Sequence, residues 1–120
     1  MTQLLPFPAP QGIRIGEFKD KPTSTEGDQK EAALQFWARS DGAVSTGIWE
    51  CTPGRFTTSR DTTTETCVIL MGRVTLHSGN GQKHSFGPGD MFTLPIGWSG
   101  AWEVHETVRK VYFISQGDVG

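Results

Sequence analysis

A carboxylate and a thiol two residues apart, Glu65 and Cys67, open the stretch Glu65–Gly72, E-T-C-V-I-L-M-G. Read as a strand, it puts Glu65, Cys67, Ile69 and Met71 on one face and Thr66, Val68 and Leu70 on the other. A strand apolar on both faces has protein on both sides. A carboxylate at its start is either paired locally or aimed into a site, because an isolated buried charge is costly. In the first case Arg60 is a natural partner and the role is structural. In the second, Glu65 is a general acid or base, or an anchor for a ligand. Cys67 points the same way, but no histidine lies near it in sequence to activate a thiolate, so apolar filling is the simpler role.

The other groups capable of chemistry are scattered. His77 falls opposite Val74 and Leu76 and points away from the core, with His84 on the facing strand beside it. His105 falls in a turn after Val104. Arg109 and Lys110 alternate faces, so one can reach an interior site and the other an outer surface or subunit interface. An interior arginine beside Glu65 would suit a small zwitterionic or carboxylate ligand. Trp49, Trp102 and Tyr112 are candidates for an aromatic wall that takes a ring or an amine. They serve equally well as core.

These residues need elements to hold them. Fifteen Gly, seven Pro, four Trp and seven Phe in 120 residues favour short strands and tight turns. Met1–Gly12 carries Pro6, Pro8 and Pro10 and reads as an extended arm that lies across a neighbouring subunit or frays. Ile13–Phe18 reads as a short edge strand and Lys19–Lys30 as a polar loop. Glu31–Ser40 carries helical and strand signals. The alternation of Leu34, Phe36 and Ala38, followed by the Asp41-Gly42 turn and Ala43–Cys51, favours a hairpin. Further strands are expected at Arg55–Ser59, Glu65–Gly72, Arg73–Ser78, Gln82–Phe86, Met91–Leu94, Gly100–Val104 and Val108–Ser115, separated by corners such as Asn80-Gly81 and Gly87-Pro88-Gly89-Asp90. Even spacing of this kind fits a sandwich or barrel. The expected division is an arm and loop over 1–30, one barrel over 31–116 and a tail over 117–120.

A net charge of −2 without a basic field argues against nucleic acid. No apolar run is long enough to cross a bilayer as a helix, and Met1–Pro10 lacks the pattern of a signal peptide. Two cysteines, Cys51 and Cys67, without zinc-ligand spacing read as reduced thiols of a cytoplasmic protein.

Two motif fragments carry a resemblance. Glu65, six residues and Gly72 match the second half of the first cupin motif; Gly89, five residues and Pro95-Ile96-Gly97 match the first half of the second. With Trp49–Phe56, Trp102-Glu103-Val104 and Val108-Arg109-Lys110 in order, the chain resembles the cupins, within them the (S)-ureidoglycine aminohydrolase-type and ethanolamine-utilisation domains. The resemblance implies an all-β fold: a cupin double-stranded β-helix, or jelly-roll barrel, of RmlC-like type. It also implies a homodimer. Cupin metal ligands would fall at Thr58 and Arg60 (or Ser59 and Asp61), Glu65 and Gly100, and only Glu65 can ligate as the family does. Trp102, two residues beyond Gly100, should face inward. The expectation is therefore a barrel that binds a small polar metabolite at Glu65, Arg60, Cys67, Trp102, Trp49 and Tyr112, with no metal or other cofactor. The alternatives are a metal-dependent ureidoglycine aminohydrolase-like enzyme with Glu65 in an atypical ligand set, and a non-catalytic dimeric module.

Overall fold

The computed structural model describes residues 2–117, and these contain strands and turns but no helix. Nine strands form: β1 (Lys19–Asp20), β2 (Ser24–Glu26), β3 (Lys30–Ala38), β4 (Val44–Cys51), β5 (Gly54–Ser59), β6 (Thr63–Ser78), β7 (Lys83–Phe86), β8 (Met91–Leu94) and β9 (Ser99–Gln116). All pairings are antiparallel.

β6 and β9, with 16 and 18 residues, run antiparallel to each other and organise the rest. Each was expected as two strands. Instead, both pass through a corner where the register slips three times between Ile69 and Val74. Bulges of this kind let one strand leave one sheet and enter another. Gly72 sits at the bend with φ 85°, and a Cβ there would lie 2.1 Å from the Thr107 carbonyl oxygen. Only glycine allows the two backbones to pass so closely.

The corner divides the barrel into two layers. In the first, the lower half of β6 and upper half of β9 join β3, β4 and β8. In the second, the remaining halves join β2, β5 and β7. The main core lies between them: Cys51, Phe56, Cys67, Ile69, Val74, Leu76, Leu94, Trp102, Val104 and Val108. Trp102 meets Phe56, Trp49 and Phe92 with ring centroids 5.5–5.7 Å apart. Phe86 stacks on Phe92 at 4.3 Å. Fully burying side chains of this size contributes about 1.5–3 kcal/mol each.

The N-terminal segment departs from its expectation. Ile13–Phe18 forms no strand; the pairing that edges β3 belongs to Lys19–Asp20, inside the stretch expected to be a loop. Ile13, Ile15 and Phe18 cover Ile48, Ala32, Leu70 and Val111 on the outside of the first layer. This second cluster explains why β6 is apolar on both faces. Phe7 stacks on Phe36 at 4.6 Å, so the arm rests on its own chain. The far end of the expected tail, 118–120, lies outside the described residues, whereas Gln116 belongs to β9.

Candidate functional site

The alternation of the two layers carries a defined set of side chains inward. On β9, Lys110, Tyr112 and Ile114 face the interior beside Trp49 of β4 and Glu65 of β6. From the other layer come Phe56 and Thr58 of β5 and Trp102 of β9. Arg60 follows β5, and its backbone is pinned: its N–H donates to the Trp98 carbonyl at 2.8 Å and its carbonyl accepts from Gly97 at 2.7 Å. Lys21 and Glu31 close one side. Together they line a cavity of about 310 Å³, at the small end of ligand sites.

Glu65 is 3% exposed, and Lys110 donates from Nζ to its Oε2 at 2.8 Å. Arg60 stands 3.6 Å from Oε1. Burial opposes ionisation of Glu65, but the lysine's charge and hydrogen bond, then Arg60 and the Cys67 thiol, outweigh it and hold the carboxyl below its usual range. Burial likewise opposes the charge on Lys110, and the neighbouring Cys67 and Glu65 overcome it and raise its pKa. The ammonium also lies 4.5 Å from the ring centres of both Trp49 and Trp102. A second pair stands at the entrance. Lys21 Nζ donates to Glu31 Oε1 at 2.9 Å, Trp49 Nε1 donates to the same oxygen at 2.9 Å, and Lys21 sits 4.2 Å from the Phe56 ring centre. Burial works against the Glu31 carboxylate, but these two donors and the charges of Lys21 and Lys110 lower its pKa overall.

Among the described residues, two buried donors on side chains that line the cavity have no partner: Arg60 Nε and Trp102 Nε1. Leaving such a group unsatisfied costs about 1–3 kcal/mol.

Five of the six residues expected at the site are brought together there: Glu65, Arg60, Trp102, Trp49 and Tyr112. Cys67 is not among the lining residues. It shares the inward face of β6 with Glu65 but pairs with Tyr112 and Phe92 on the flanking strands and is fully buried in the main core. Burial pushes its thiol up to about 12, and that of Cys51 likewise, so neither supplies a thiolate near neutral pH. The pair left open resolves: Lys110 faces inward, and Arg109 faces outward, donating to Glu50 Oε1 at 2.7 Å and to the carbonyls of Pro10 and Ile13 at 2.9 and 2.6 Å. Sequence reasoning missed Lys21 and Glu31. The signal for Glu31 was its shared parity with Ala33, which also lines the cavity; Lys21 lay in a stretch without period.

The histidines lie elsewhere. His77 faces outward, within 2.9 Å of Glu103, but His84 pairs with Leu76 rather than with His77, so the two point to opposite faces. His105 lies within the continuous β9, not in a turn, and its Nε2 is 2.8 Å from Thr75 Oγ1.

Two layers joined through a shared strand pair, with the polar groups gathered at one mouth, define a cupin barrel. The chain belongs to the EutQ-like cupin family, whose model matches residues 38–112. It is similar to a DUF861 family protein from Thermotoga maritima at 42% identity, over 54% of this chain and 73% of that one, with a TM-score of 0.52. The Clostridium difficile EutQ protein superposes more extensively, with a TM-score of 0.72 over 92% of this chain and 79% of its own, at 15% identity. A putative EutQ from Salmonella typhimurium gives a TM-score of 0.66 at 18% identity, over 84% of this chain and 80% of that one. These last two likenesses concern the fold. No curated protein matches the sequence.

The metal expected of cupins in general does not fit the donors present. Of the four positions, Glu65 is already bonded to an ammonium and flanked by a guanidinium, and Thr58 and Arg60 supply no imidazole. At Gly100 a Cβ would lie 2.2 Å from the His77 carbonyl oxygen and 2.9 Å from the Trp98 ring, so the backbone there excludes a side chain. Among the described residues no three His, Cys, Asp or Glu side chains converge on a common point. Among the described residues no helix is long and apolar enough to cross a membrane.

Proposed function

We propose that this cupin binds a small polar metabolite in the cavity at the mouth of the barrel, with its polar anchor in Glu65, Lys110 and Arg60 rather than in a metal. The observation that carries the reading is the convergence of five charged side chains and four aromatic rings on one 310 Å³ cavity. Buried charges are expensive to assemble, and they cluster where a protein recognises something. Rings from both layers exclude water and strengthen the polar contacts inside.

A thermal-shift screen of small acids, sugars, amines and ureides, with and without divalent metals, tests it. A ligand at a hundredfold excess over its Kd stabilises the fold by about 2.7 kcal/mol. No shift with any compound overturns the reading and leaves a non-catalytic module. Stoichiometric metal in the purified protein, lost in Glu65→Ala, would instead support the ureidoglycine aminohydrolase-like alternative.

A homodimer is the second reading, favoured by the outer surface of the first layer. Val68 and Met91 pair across β6 and β8 on this surface, beyond the Ile48 and Val111 that the N-terminal segment covers. Met91 and, in the next row, Phe113 are 66% and 48% exposed. Such a face fits a second copy of the chain. Sedimentation velocity should give a dimer that Phe113→Glu dissociates; a monomer at every concentration removes the reading.

A further inference from the structure

The charges lining the cavity do not cancel. Lys21, Arg60 and Lys110 are cations; Glu31 and Glu65 are carboxylates. Each carboxylate is paired with a lysine: Glu31 Oε1 accepts from Lys21 and from the Trp49 indole, and Glu65 Oε2 accepts from Lys110. One positive charge is left over, and it falls to Arg60. Its terminal nitrogens reach Thr63 Oγ1 at 3.3 Å and Glu65 at 3.6 Å, both long contacts, and its Nε is buried with no acceptor. The Trp102 indole N–H is the second donor without an acceptor, on a side chain only 1% exposed. Indole nitrogen donates only, and so does guanidinium. Unpaired charge and unpaired donors thus ask for the same thing: acceptor oxygens bearing one negative charge.

The aromatic walls point the same way. A box of tryptophans would ordinarily attract an amine. Here the ring faces are already taken by the protein's own cations: Lys110 lies against Trp49 and Trp102, and Lys21 against Phe56. A cationic ligand would meet three resident positive charges and two carboxylates that are each already paired with a lysine.

Resting on the reading of the cavity as a metabolite site, we infer that its ligand is a small monoanion of carboxylate type, its oxygens taking the free N–H groups of Arg60 and Trp102. Lys110 supplies a fixed positive charge to the cavity while staying bound to Glu65. Benzoate and butanoate are suitable probes, compared with benzamide and butanamide and with benzylamine and butylamine. Titrations followed by calorimetry or by amide chemical shifts should show each acid at least tenfold tighter than its amide, and no saturable binding of the amines. Trp102→Phe and Arg60→Gln should each reduce acid affinity about tenfold, leave the amides within twofold, and so erase the preference. Amides or amines that bind the unaltered protein as tightly as the acids overturn the inference while leaving the metabolite reading intact. Acid binding untouched in both variants also overturns it. If neither these probes nor any compound of the wider screen binds, both readings fall together.

Discussion

Arg109 and Lys110 are neighbours on one strand, and each is paired with a glutamate, yet the two pairs do different work. Arg109 faces outward and spends its guanidinium on three acceptors: the Glu50 carboxylate and two carbonyls of the N-terminal arm. A planar fork of donors suits this task, since it fixes several groups at once. Lys110 faces inward and makes one hydrogen bond, to Glu65, with tryptophan faces on its remaining sides. A compact ammonium suits that task, because it brings charge into a cavity while covering little of its wall. The outward pair closes a structure; the inward pair stands in the wall of an open cavity.

The largest expected effect comes from breaking the inward pair. Lys110→Met leaves Glu65 buried with Arg60 at 3.6 Å but without its hydrogen-bonded cation, and should cost about 3–5 kcal/mol in urea denaturation. Adding Glu65→Gln removes the stranded charge, so the double variant should be more stable than Lys110→Met alone. The sign of the pH dependence follows from the same pair. Glu65 is held below its ordinary 4.5, so its contribution is present above that pH and is lost as pH falls through the folded value. Glu65→Gln should flatten that acid limb. A loss under about 1 kcal/mol for Lys110→Met, the size typical of surface pairs, would erase the distinction between inner and outer pairs.

Breaking the outward pair should cost less, about 2 kcal/mol for Arg109→Ala, because Glu50 keeps some access to water. Its signature is local: the arm through Ile13 should become sensitive to limited proteolysis, while carboxylate binding in the cavity is retained. Arg109→Lys should restore less than half of the protection, since one ammonium cannot reach three acceptors. An arm that stays protected in Arg109→Ala would show that Phe7 and the Ile13–Phe18 contacts hold it without the clamp.

Period-two alternation made much of this legible in advance. The doubly apolar stretch at Glu65, the hairpin at Asp41-Gly42 and the inward aspect of Trp102 follow from alternation, turn chemistry and motif spacing. The continuity of β6 and β9 did not, because the bulges around Gly72 interrupt the period that would have revealed it. The choice between Arg109 and Lys110 depends on parity across that interruption, so both stayed open. Cys67 had the right parity but the wrong depth: alternation gives the side of a sheet, not the distance from the cavity. Lys21 was illegible for a different reason. Its place in the wall is set by short pairings of Lys19–Asp20 and Ser24–Glu26 with distant strands, which no local pattern encodes.

Gly100 has a consequence for what this barrel can become. A histidine there would complete part of the ligand set seen in other cupins, but its Cβ would collide with the His77 carbonyl and the Trp98 ring. The Trp98 indole is itself tied to Ser78 by a 3.0 Å hydrogen bond. Converting the site to metal chemistry therefore requires at least two coordinated changes, the first of which weakens the fold before the second brings any benefit. Single substitutions along the cavity wall, by contrast, alter charge and shape without crossing such a barrier. The backbone at one glycine thus weighs more against a metal centre here than any side chain of the cavity does.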